Sequence, residues 1–228
     1  MDTYTSVQES ARENTVVART FFWLSSGLAL SGAVAAYVGT NDQLYDQFRD
    51  NTILFWAAML APIGIILLLG ATMARLSVAA ACSLYVLFSF LEGLALSFIF
   101  QVYTTGSIAQ VFFIAAAMFA VAGTIGFVTK RDLTKLGGIL MIGLVGFLIA
   151  TLVNVFWASD ALYWVTTYIG VGIFLGLTVY DFNLLRKQSQ ESLDGESQTK
   201  ASLWLAIGLY LDFVNLFLLL LRIFGGRN

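Results

Sequence analysis

Apolar and polar residues in this chain do not alternate at a strand or helix period. They come in long apolar blocks separated by short polar links. Seven blocks reach the roughly 17–25 residues that cross a bilayer as a helix: about 21–39, 53–71, 77–100, 108–128, 136–156, 162–185 and 201–224. The second, ILFWAAMLAPIGIILLLGA, carries Pro62 and Gly64, where a kink is expected. The links are short except for RKQSQESLDGESQTK (186–200), which reads as a polar loop. The first 19 residues, MDTYTSVQESARENTVVAR, are polar and lack the short apolar core and small-residue cleavage site of a signal peptide. They read as a cytoplasmic tail (1–19) leading into an uncleaved first helix. The expected architecture is all-α: a single seven-helix transmembrane domain over 20–228, with no soluble domain. Small residues four apart, Gly172 with Gly176 and Ala122 with Gly126, fit close helix contacts and equally the general abundance of glycine in membrane helices.

Composition turns that pattern into a solvent. Of 228 residues, 59% are hydrophobic and 11% charged, and mean hydropathy is +0.83. Soluble domains carry about 25% charged residues, so a surface that faces water all round is missing. The partners to expect are membrane lipid and small ions, with no nucleic acid. There is no histidine, one cysteine (Cys82) and one proline. Without histidine the usual metal ligand and near-neutral proton switch are absent. Zinc chemistry, imidazole-held haem and Ser-His nucleophiles are therefore poor fits, and neither an enzyme nor a resident cofactor is expected.

Charge distribution sets the orientation. If the N-terminal side is cytoplasmic, it holds Arg12, Arg19, Arg75, Lys130, Arg131, Lys135, Arg186, Lys187 and Lys200, nine of the twelve basic residues. The other side holds Arg49, Arg222 and Arg227. By the positive-inside rule the N-terminus faces the cytoplasm and the C-terminus the opposite side.

Three acids stand inside or at the margin of spans: Glu92, Asp181 and Asp212. A central Asp costs roughly 2.5–3.5 kcal/mol on insertion scales, so such residues face the bundle interior or a water-filled cavity. Asp212 lies about 16 Å into the last span by helix rise. With Asn215 and Arg222 it forms a polar stripe, fit for an ion or proton role or for a neutral carboxyl bonding a neighbouring helix. Asp181, four residues before the sixth span ends, is equally placed to reach cytoplasmic water. Glu92, in FLEGLAL, would be satisfied by a hydrogen bond to Ser89. Arg75, alone in the link between spans two and three, reads as a topological anchor on the same side as Asp181.

The stretches LYLDFVNLFLLLLRIFG, IGVGIFLGLTVYD and TKRDLTKLG resemble the transmembrane Bax-inhibitor-motif family, above all its bacterial inner-membrane branch. The likeness covers nearly the whole chain. It implies a bacterial inner-membrane protein whose last helix is central and surrounded by the other six. It also implies a pH-sensitive Ca²⁺ leak governed by two aspartates, which fall on Asp181 and Asp212, with an arginine latch that falls on Arg75. Glu92, with the following Gly93, matches an acidic position of some members, and Glu92 and Asn215 are carried as candidate pathway residues. After Asp181 this chain has Phe182-Asn183 where many bacterial members carry Thr-Gln, so the surroundings of the pair differ. The resemblance also implies an alternative, a membrane-embedded regulator that binds an inner-membrane protease through the tail and the 186–200 segment. In the leak reading, two carboxylates in contact share a proton and titrate as one unit, and the ionised pair offers oxygens to Ca²⁺. Counted along the helices, however, Asp181 and Asp212 differ in depth by about 10 Å, so spacing permits the pairing without requiring it.

Overall fold

A computed structural model describes the backbone of residues 2–191 and 194–228 and the side chains from residue 15 onward. Among these residues the chain forms nine helices: α1 (Asp2–Gly39), α2 (Asp42–Asp50), α3 (Thr52–Thr72), α4 (Val78–Leu96), α5 (Ile99–Val102), α6 (Thr105–Val128), α7 (Thr134–Trp157), α8 (Asp160–Ser189) and α9 (Gly195–Phe224). Seven stretches are long and apolar enough to cross a membrane, α4 and α5 together making the third. They coincide with the seven expected blocks. Helix α3 runs unbroken through Pro62.

Two parts of the sequence reading change. The link after the first span contains α2, started by Asn41, whose side chain accepts from Leu44 N at 3.1 Å, and seated by Phe48, which is 5% exposed. Phe48 packs with Ala58 and Leu94. The supposed loop 186–200 is mostly helix: α8 runs to Ser189 and α9 begins at Gly195. Asp194 starts α9 by accepting from Ser197 N at 2.7 Å, and Lys200 pairs with Glu196 one turn back at 2.9 Å. Polar composition there reflects a helix end reaching beyond the apolar zone. Residues 192–193 of that segment lie outside the described residues. The expected tail 1–19 likewise falls on the same helix as the first span.

The chain divides into two compact units. One comprises Met1–Thr105, Gln188–Tyr210 and Arg227–Asn228; the other comprises Gly106–Lys187 and Leu211–Gly226. In the first, α1 packs on α4 and α4 on α3, and the upper part of α9 fits among them. Tyr210 meets the Phe88 ring edge-on at 5.1 Å, Ser202 Oγ donates to Val16 O at 3.3 Å, and the Trp204 ring lies against Gly70. In the second unit, Phe213 of lower α9 packs edge-on against Phe112 and Phe119 of α6 at 5.3 and 5.5 Å, and Leu219 lies against Gly170 of α8. Helix α9 thus contributes to both units. Its apolar window is 72% buried, against none for α7. The last helix is the central one and α7 is peripheral.

Within the second unit the end of α8 holds both sides of the α6–α7 link. Asn183, 1% exposed, donates from Nδ2 to Thr129 O at 2.7 Å and Gly126 O at 3.3 Å, satisfying carbonyls that a helix C-terminus otherwise leaves open. Asp132 accepts from Thr134 N at 3.1 Å, starting α7, and from the Lys187 ammonium. Lys187 first, and Thr134 second, hold the Asp132 carboxyl well below its ordinary value near 3.8. Small residues allow the helices to approach here: a methyl on Gly126 would overlap the Val179 carbonyl oxygen, whereas Gly172 and Gly146 have open space.

Gly126→Ala should destabilise the protein by about 1–3 kcal/mol, and Gly146→Ala should leave it unchanged or up to about 1 kcal/mol more stable, both read by unfolding in detergent. Because the folded state depresses Asp132, its contribution is present above pH 3.8 and lost as pH falls below that value. In Lys187→Met the Asp132 titration should move up toward 3.8, as carboxyl-labelled NMR would show.

Candidate functional site

The second unit brings Asp181 and Asp212 together. Asp212 is 4% exposed, Asp181 is half-buried, and the two carboxyl groups lie within electrostatic reach of one another. The mismatch in depth disappears for a structural reason. Asp181 stands about 12 Å before the end of α8, and Asp212 about 26 Å beyond the start of α9. Gln188, at the end of α8, lines the same cavity as Lys200, Ala201 and Trp204. The first turns of α9 therefore overhang the end of α8, and equal depth cannot be counted from helix ends.

Thr178 completes the immediate surroundings. It precedes Asp181 by three residues, on the same side of α8, and hydrogen-bonds the Asp212 carboxyl. Its hydroxyl also donates to Phe174 O at 2.8 Å. A threonine hydroxyl has one proton and two lone pairs. With the proton on Phe174, Thr178 accepts from a protonated carboxyl; turned around, it donates to an ionised one. The other oxygen of Asp212, Oδ2, is buried and has no hydrogen-bond partner among the described residues. Behind the pair, Phe182 meets Phe119 edge-on at 5.5 Å and covers Gly123, while Asn183 is engaged by the end of α6. The two residues after Asp181 thus build helix contacts around the pair. Sequence reasoning missed Thr178; its i, i+3 relation to Asp181 was the available signal.

The remaining candidates lie apart. Asn215 is half-buried and its Nδ2 donates to Leu211 O of its own helix at 2.8 Å. Further along the stripe, the Arg222 guanidinium sits 5.4 Å over the Tyr163 ring. Glu92 belongs to α4 in the first unit, where Ser89 Oγ donates to Tyr85 O at 3.0 Å, so the expected Ser89–Glu92 bond is not the one formed. Arg75, also in the first unit, is exposed in the α3–α4 turn, its backbone N donating to Thr72 O at 2.8 Å.

Among the described residues no group of three or more acidic, cysteine or histidine side chains gathers to hold a metal. Two carboxylates offer at most about four oxygens, short of the six to eight that Ca²⁺ takes.

The chain was compared with known proteins. A family profile described as inhibitor of apoptosis-promoting Bax1 matches residues 13–228. The inner membrane protein YbhL of Escherichia coli K12 is 40% identical over 224 residues, covering 97% of this chain and 96% of that protein. A protein of Borreliella burgdorferi is 36% identical over 222 residues, with 97% and 96% covered. One of Deinococcus radiodurans is 36% identical over 214 residues, with 94% and 91% covered. With seven apolar helices, a buried last helix and a match over nearly its full length, the chain belongs to the Bax inhibitor family of membrane proteins.

Proposed function

We propose that the protein is a pH-sensitive cation leak of a bacterial inner membrane, with Ca²⁺ as the permeant ion and the Asp181–Asp212 pair as its sensor. The carrying observation is Asp212 itself: a 96% buried carboxyl, facing a second carboxyl, with one oxygen unpartnered among the described residues. Such a group is costly in a bilayer unless protons or cations visit it. The inner-membrane location is supported by the name of the E. coli relative.

In this reading the pair holds a shared proton in one state and meets a hydrated cation in the other. Thr178 follows the change by turning its hydroxyl between Phe174 O and Asp212, so neither state leaves that carboxyl without a partner. The pair is a relay point with too few oxygens to trap the ion. Arg75 enters as the latch on the strength of the family resemblance, its exposed guanidinium being available for a carboxylate in a closed state.

The test is Ca²⁺ entry into proteoliposomes across mildly acidic to mildly alkaline pH. Wild type should show flux above empty vesicles, changing by up to about tenfold per pH unit where one proton controls it. Asp181→Asn and Asp212→Asn should each flatten that profile, Thr178→Val should displace it, and Arg75→Ala should raise the basal rate. Wild-type flux equal to that of empty vesicles would sink the leak reading and turn attention to protein partners of the N-terminal segment and residues 186–200. The expected N-terminal orientation is checked in the same vesicles by labelling a cysteine placed at the N-terminus.

A further inference from the structure

A second buried polar group occupies the first unit, where α1, α4 and the upper part of α9 meet. Glu92 stands about 21 Å along α4 and about 15 Å before the end of that span at Val102, within the hydrocarbon zone. Four hydroxyls at most 1% exposed gather here: Tyr85 and Ser89, seven and three residues back on the same face of α4, Ser31 of α1, whose backbone lies against the neighbouring Gly93, and Tyr210 of α9, bonded to Ser31. Their protons have defined acceptors. Tyr210 donates to Ser31 Oγ at 2.8 Å, Ser31 to Gly27 O at 2.7 Å, Ser89 to Tyr85 O at 3.0 Å and Tyr85 to Trp23 O at 2.6 Å.

The Glu92 carboxyl is half-buried and lies within electrostatic reach of the Tyr210 hydroxyl. Among the described residues no cation faces it from the helices packed here. Helix α3 has no titratable side chain, α1 presents Ser31 and Gly27, and α9 presents Tyr210. Arg19 of α1 is engaged elsewhere, by Thr199 Oγ1 at 3.0 Å. Among the described residues the titratable group within electrostatic reach of Glu92 is therefore Tyr210, with Tyr85 seven residues back on the same face of α4. Gly27 keeps room for the cluster, since a methyl there would overlap the Tyr85 hydroxyl and sit 3.1 Å from Ser89 Oγ.

We propose that Glu92 is a proton-binding site in its own right, separate from the aspartate pair, with the Tyr210 hydroxyl as its responsive partner. An ionised carboxylate at this depth requires a donor, and Tyr210 is the hydroxyl within its electrostatic reach on a neighbouring helix. On loss of the Glu92 proton to water, Tyr210 turns its O–H from Ser31 to the carboxylate. On protonation it returns to Ser31. One O–H bond is made or broken at Glu92 and the tyrosine keeps its proton throughout. Glu92 belongs to one compact unit and the aspartate pair to the other. The site stands independently of the leak reading.

The experiment is infrared difference spectroscopy of the lipid-reconstituted protein between alkaline and acidic pH, following the C=O stretch of protonated carboxyl groups. A band that forms on acidification in wild type should be lost in Glu92→Gln and retained in Asp181→Asn and Asp212→Asn. Tyr210→Phe, which removes one oxygen and keeps the ring, should retain the band and displace its midpoint by about one pH unit. Loss of no band in Glu92→Gln overturns the proposal, as does loss of the same band in an aspartate variant. An unmoved midpoint in Tyr210→Phe overturns the tyrosine's part. If Glu92→Gln does not fold, Tyr210→Phe and Ser31→Ala carry the test, because both leave the carboxyl in place and only a site that exchanges protons has a midpoint to move.

Discussion

A helix enclosed by other helices inside a bilayer cannot hide a charge by turning it toward water, so every polar group on it has to be met from a neighbour. Helix α9 is under this constraint more than any other span, and it nevertheless carries Asp212 and Tyr210 within one turn. The neighbours are arranged accordingly. In one unit α8 brings Asp181 and Thr178 to Asp212; in the other α1 brings Ser31 to Tyr210 and α4 brings Glu92 within its electrostatic reach. Peripheral α7, by contrast, leaves most of its residues exposed and carries no acid.

The packing that satisfies α9 relies on removal of side chains as much as on their presence. Gly126 lets α6 and α8 touch at Val179, Gly170 admits Leu219 and Phe147, and Gly27 leaves room for Tyr85. Aromatic edges then fill the spaces between helices, with Phe119 meeting both Phe182 and Phe213. Lipid offers no hydrophobic drive for helices to associate, so close contact and hydrogen bonding carry that task. This explains why only some of the small-residue pairs are contacts: Gly176 lies against Leu140, while Gly172 has nothing near it.

The seven spans were legible because bilayer thickness imposes a length that composition reveals directly. Family resemblance named Asp181 and Asp212 as a pair, whereas the residues alone left a depth mismatch, since helix ends inferred from polarity differ from helix ends set by hydrogen bonds. The segment 186–200 shows the difficulty. Glu196, Lys200 and Asp194 look like loop residues by polarity and act as the first turn and cap of α9. The role of Thr178, and the bonds that Asn183 makes, escaped notice for another reason. Threonine in a membrane helix often bonds only its own backbone, as Thr166 does with Leu162 O, and the i, i+3 relation of Thr178 to Asp181 is the one local sign that this threonine also reaches across. Asn183 likewise bonds carbonyls more than fifty positions away.

The strap formed by Asn183 and Lys187 across the α6–α7 link bears on mechanics. Helices α6, α7 and α8 are fastened at one end, so that end behaves as a stiff frame. Two side chains one turn apart on α8 thereby close the link like two stitches in a seam, one taking carbonyls and the other a carboxylate.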